Sequence, residues 1–159
     1  MNHDKLLREQ IVTLLKGKGA HASFDEVVEG LPAKLRGTRP EGADHSPWEL
    51  LEHLRIAQWD LLEFSRDGNH KSPKFPDGYW PPTPAPPDEH AWDKSIKTWR
   101  GDHKEFCAFV ADEKTDLFAK IPHGNGQTVL REALVAADHN AYHLGQLVDL
   151  RRLLGAWPG

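Results

Sequence analysis

TVLREALVAADHNAYHLGQLVDLRRLL, residues 128–154, reads as one long amphipathic helix. Ala133, Ala137, Asn140, Leu144, Leu147 and Leu154 recur at helical spacing and give it a mostly apolar face. Arg131, Asp138 and Asp149 mark its solvated side. His139 and His143 stand four residues apart near the edge of the apolar arc. Side chains at that spacing lie one above the other on the same face, so two imidazoles can converge on one ion. The pair alone is equally compatible with surface histidines or with hydrogen-bonded core histidines. It also lacks the glutamate of the HExxH pattern, because Asn140 follows His139, which disfavours a zincin-type protease.

A second strong helix opens at Ser46-Pro47. Serine accepts from free backbone N–H groups, proline suits the first helical position, and Glu49 complements the dipole. Leu50, Leu54, Ala57, Leu61 and Phe64 form its apolar stripe, and Asp67-Gly68-Asn69 stops it. Two further helices are expected at about Asp4–Lys16 and Asp88–Asp112. The latter carries Trp92, Ile96, Trp99, Phe106 and Val110 at compatible spacing. Ser23 with Glu26 predicts a capping box for a short turn over Phe24–Glu29. The proline-rich stretch Lys71–Pro87, with Phe75, Tyr79 and Trp80, has no periodicity and reads as a long connection crossing the end of a bundle. Four long amphipathic helices and no strand candidate predict an all-α four-helix bundle, one domain over residues 1–159.

Composition narrows the function. At 159 residues with a net charge of −4, the chain lacks the basic excess of a nucleic-acid surface, so no nucleic-acid partner is expected. No apolar run approaches a bilayer span, and no signal-like segment opens the chain, so neither membrane nor export is expected. One cysteine, Cys107, excludes an internal disulfide framework and fits a reducing, cytoplasmic setting. Cys107 itself, among Phe106, Ala108 and Phe109, reads as packing.

The 10 histidines are many for this length, so their positions decide. His53 lies between Leu50, Ala57 and Phe64 on the wheel, again at the edge of a core stripe. Three buried imidazoles without partners would cost several kcal/mol, roughly 1–3 each, and a shared metal removes that cost. His3, His21, His45, His70, His90 and His123 fall in termini, connections or helix starts and are expected in solvent. His103, beside Asp102, is expected on a solvated helix face.

Ser46-Pro47-Trp48-Glu49-Leu50-Leu51-Glu52-His53-Leu54 resembles the second-helix motif of the DinB/YfiT-like superfamily. Asp138-His139-Asn140-Ala141-Tyr142-His143-Leu144-Gly145-Gln146-Leu147 resembles that family's last-helix motif, and Trp92 and the Gly126-Gln127-Thr128 lead-in fit as well. The resemblance implies a four-helix bundle with a long crossing connection, often a homodimer, and a three-histidine metal site that maps onto His53, His139 and His143. Zinc, nickel and iron occur in such sites, and neutral imidazoles suit all three. Members include transferases that use a low-molecular-weight thiol, so the resemblance implies a metal-activated thiol and a small-molecule substrate.

Three neutral ligands leave coordination positions open, the pattern of catalytic rather than structural sites. The leading expectation is a metal-dependent thiol S-transferase or small-substrate hydrolase. Its alternatives are a non-catalytic, stress-related or partner-binding metal bundle and a structural dimer whose histidines satisfy one another. Around the site, Glu49 and Asp60 are either orienting partners of a ligand imidazole or solvated carboxylates. Gln146 is placed toward solvent at the helix interface, and Arg151 and Arg152 read as cations compensating the helix dipole. The length and aromatics of the Trp80 linker suggest a gate.

Overall fold

The computed structural model describes residues 3–17 and 19–158. Among the described residues five α-helices follow one another: α1 (His3–Leu15), α2 (Phe24–Val28), α3 (Pro47–Arg66), α4 (Ala91–Ala111) and α5 (Val129–Leu153). Two 3₁₀ turns, Ala33–Leu35 and Asp77–Tyr79, lie in the connections. Among the described residues there is no strand, only an isolated bridge between Lys120 and Thr128. The fold is an all-helical bundle of four long helices, with α2 as a short addition.

The helix starts follow the local chemistry. Ser46 caps α3 reciprocally: its Oγ accepts from the Glu49 N–H at 3.2 Å, and its own N–H donates to Glu49 Oε2 at 2.7 Å. Ser23 and Glu26 build the same box at α2. Thr128 Oγ1 accepts from the Arg131 N–H at the start of α5. The expected start of α4 at Asp88 is displaced to Ala91. Asp88 spends its carboxylate on the His90 N–H at 2.8 Å, forming a turn ahead of the helix.

Around the bundle, α1 and α3 each pack against both α4 and α5, which puts α1 and α3 on opposite corners. The interior divides into two apolar clusters. One joins Leu51 and Leu54 of α3 to Trp92 and Trp99 of α4 and Leu144 and Leu147 of α5, with Phe24 of α2 stacked on Trp99. The other joins Ile11 and Leu15 of α1 to Leu62, Phe106, Val110 and Ala133. Full burial of a leucine stabilises by about 1.5–3 kcal/mol, so these contacts dominate the attachment of α3 to α5. Among them, Asn140 Nδ2 donates to Gln58 Oε1 at 2.9 Å inside the bundle. That buried amide pair disfavours slippage of α5 along α3, because a shift would leave both groups without partners.

Polar groups finish two corners. Arg151, read from the sequence as a cation compensating the dipole at the end of α5, is buried. Its guanidinium donates to the carbonyls of Val27 at 2.6 Å, Glu29 at 2.8 Å and Ala156 at 2.8 Å. It therefore satisfies the orphan carbonyls that end α2, which dipole compensation alone does not require. Arg8 does the same for α4, donating to Val110, Asp112 and Thr115. His103 is corrected too: it is half-buried, stacked on Trp99 at 4.6 Å, with Nε2 donating to the Leu15 carbonyl at 2.9 Å. It ties α4 to the end of α1.

The proline-rich connection is clamped at both ends. Ser46 Oγ donates to the Pro84 carbonyl, and the chain crosses Gly37 so closely that a Cβ there would lie 2.4 Å from Ala85 Cβ. At the other end Tyr79 Oη donates to Asp60 Oδ2 at 2.6 Å. The linker thus runs across the outer edge of α3 with Tyr79 and Trp80 turned inward.

Candidate metal centre

His53 projects from the middle of α3, and His139 and His143 from successive turns of α5. The three rings meet where the two helices face one another. His53 Nε2 lies 2.9 Å from His139 Nε2 and 3.1 Å from His143 Nε2. One ligand nitrogen from each ring falls within 4.8 Å of the others, and this is the one such histidine, cysteine or carboxylate group among the described residues. His53 and His143 are 8% and 9% exposed, and His139 is half-buried.

Hydrogen bonds on the far nitrogens set the tautomers. His53 Nδ1 faces the Tyr79 carbonyl at 2.9 Å, and a carbonyl only accepts, so that nitrogen carries the proton. His143 Nδ1 faces Gln146 Oε1 at 2.7 Å and is a donor by the same argument. Both Nε2 atoms are then bare lone pairs, 3.1 Å apart. One proton on His139 Nε2 can satisfy the contact with His53 but not the one between His53 and His143. A cation among the three nitrogens resolves the conflict. Two imidazole nitrogens held at about 2.0–2.1 Å from one ion, with bond angles of about 90–109°, lie roughly 2.9–3.4 Å apart. The two pairs that His53 makes fall in that interval, the ligand nitrogens of all three rings lie within 4.8 Å of one another, and three neutral imidazoles are a donor set that suits a divalent metal.

Electrostatics point the same way. Burial, with the neighbouring His143 and His53, pushes His139 down to about 3. Burial and His53 push His143 down to about 4, and burial lowers His53 as well. All three are neutral at pH 7, as metal ligation requires. His139 Nδ1 is buried without a hydrogen-bond partner.

The linker completes the wall. Trp80 stacks on His53 with ring centroids 4.0 Å apart and planes 2° apart, and His45 stacks on Trp80 at 4.0 Å. Beside the histidines opens a cleft of about 440 Å³, bounded by α3, α5 and the segment around Phe75 to Trp80.

A family model for the DinB superfamily matches residues 18–147, and that span holds all three histidines together with α3 and α4. The chain belongs to the DinB superfamily. No curated protein and no solved structure matches it. The resemblance drawn from the Ser46–Leu54 and Asp138–Leu147 motifs is thereby borne out, and the DinB bundle brings the residues of both motifs onto one site.

Several expectations about the surroundings are corrected. Glu49 does not orient a ligand; it is spent on the Ser46 cap and on a two-pronged ion pair with Arg39. Asp60 touches no ligand imidazole either. Its Oδ1 takes His70 Nε2 at 2.8 Å and its Oδ2 takes Tyr79 Oη, so it holds the 3₁₀ turn whose carbonyl orients His53. His70, expected in solvent, is therefore buried on Asp60, and its ring meets Trp59 edge-on. His45 is half-buried against Trp80. Gln146 turns toward His143 rather than to solvent. Tyr142 is 64% exposed and meets His143 edge-on at 5.0 Å. Cys107 is buried, its thiol pushed up by burial, in keeping with packing.

Proposed function

We propose that His53, His139 and His143 ligate one divalent ion, zinc, nickel or iron, and that this DinB protein is a metal-dependent enzyme acting on a small molecule. The observation that carries the reading is the pair of bare Nε2 lone pairs of His53 and His143, 3.1 Å apart in a buried site that opens on a cleft. When bound, such an ion lowers the pKa of a coordinated thiol or water and supplies a nucleophile at neutral pH.

The chain's own residues do the rest. The Tyr79 carbonyl and Gln146 hold two ligand rings in the required tautomer. Trp80 shields the outer face of His53 from water. Three protein ligands leave room for a fourth group facing the cleft, which supports thiol transfer or hydrolysis over a closed structural site. The resemblance favours thiol S-transfer with a low-molecular-weight thiol, and it extends the reading to a one-domain homodimer. The single cysteine agrees with a cytoplasmic setting. Among the described residues, no helix is long and apolar enough to cross a membrane.

One observation favours a second reading, a metal-binding bundle without turnover. The only carboxylate lining the cleft among the described residues, Asp60, has both oxygens engaged and is not free to act as a base. Assays divide the two. Metal-loaded protein is mixed with cysteine and chlorodinitrobenzene, or with nitrophenyl acetate. The enzyme reading expects metal-dependent turnover that His143→Ala removes. No turnover with either pair, in protein that retains its metal, supports the binder.

A further inference from the structure

The cleft beside the histidines has a marked chemical character. Away from them its walls are Ala57, Leu61, Phe75, Pro76, Trp80 and Val135. No lysine or arginine lines it among the described residues, and its one carboxylate is already paired with His70 and Tyr79. A charged group against these walls, away from the histidines, would lose its hydration and gain no counter-charge from a lining side chain. The volume of about 440 Å³ lies within the range of small-molecule pockets, about 300–1,000 Å³. Phe75 stands at the rim, 80% exposed although it is a large aromatic, with its ring 6.1 Å from that of Tyr79. An exposed phenyl beside an apolar cleft gains burial when an apolar ligand fills it.

We infer that the cleft selects a neutral apolar ligand, aryl or alkyl, and that Phe75, Leu61 and Val135 set this preference. The inference deepens the proposed function by naming its substrate class, and in that sense rests on it. The wall itself exists whether or not the histidines hold metal. The acid or amine end of a polar metabolite has no partner on this side of the site, so the body of the substrate that lies away from the histidines is uncharged.

Equilibrium dialysis of the full chain tests the inference, with acetylnaphthalene as neutral probe and naphthalenesulfonate as its charged counterpart. In chelator-treated protein, where no ion can take the sulfonate, acetylnaphthalene is expected to bind about tenfold or more tighter, because the sulfonate is desolvated without a partner. Val135→Asp, and Phe75→Asp at the exposed rim where folding is not at risk, should each weaken acetylnaphthalene binding about tenfold. Wild-type protein with and without prior chelator treatment, its metal measured alongside, separates the two readings: acetylnaphthalene should bind in both states. Equal binding of the sulfonate to chelator-treated protein overturns the inference. So does unchanged binding in both aspartate variants, which would place the probe elsewhere, for instance between two copies of the chain.

Discussion

Trp80 lies flat on His53, planes 2° apart, and its other face carries His45. A residue from an irregular connection is thereby part of the wall around an imidazole supplied by α3. An aromatic stack of this kind contributes about 0.5–1.5 kcal/mol beyond the area it buries. Trp80→Ala should leave one metal per chain but speed its loss to a chelator by about 2- to 10-fold. Stopped-flow chelation reads that rate, and an unchanged rate would remove the linker from the site.

Gln146 is the other support that acts without touching the metal position. Its Oε1 holds His143 Nδ1 at 2.7 Å, and removal of such an orienting partner lowers metal affinity about 10- to 100-fold. Gln146→Leu should show that loss in a competition titration. Gln146→Glu should restore the affinity, because a carboxylate accepts the same hydrogen bond. Failure of the glutamate to rescue would leave Gln146 as packing alone.

These two supports mark where the sequence stopped being legible. The Ser46 cap, the period of α5 and the i, i+4 spacing of His139 and His143 are written in side-chain identity and point to the bundle and the histidine pair, while the motif around His53 joins the third histidine to them. The partner of His53 is a backbone carbonyl, at Tyr79, which no residue type announces. Its placement depends on Asp60 reaching across to a proline-rich segment without periodicity. His70 is expected in solvent from its position in a connection and Arg151 only as a cation for the helix dipole, yet tertiary contacts bury both side chains. Gln146 was misplaced because a helical wheel gives a side chain's starting direction and not the reach of a long amide.

Removing Arg151 should damage the fold and spare the site. Arg151→Met leaves the carbonyls of Val27, Glu29 and Ala156 without this donor. The expected cost is about 3 kcal/mol in chemical denaturation, from unsatisfied buried acceptors. Metal affinity of the folded fraction should stay unchanged.

Acid should destabilise the metal-free protein through its histidines. The folded values of about 3 for His139 and about 4 for His143 lie below the ordinary value of 6.5. Above pH 6.5 both are neutral in the folded and unfolded chains, and neither penalises folding. As pH falls below 6.5 the unfolded chain takes up protons that the folded chain refuses, so stability drops until pH approaches 4 and 3. Urea titrations between pH 7 and pH 4 should show this decline, and His139→Ala should flatten it. An identical slope in the variant would mean that other groups govern acid unfolding.

Metal content after loading and dialysis tests the central claim most directly, in the wild-type chain beside His53→Ala, His139→Ala and His143→Ala, each confirmed helical by circular dichroism. The account predicts about one zinc, nickel or iron ion per wild-type chain and about a tenth of that or less in each variant, since a three-ligand site cannot tolerate loss of a ligand. Equal metal in the wild type and in all three variants would contradict it.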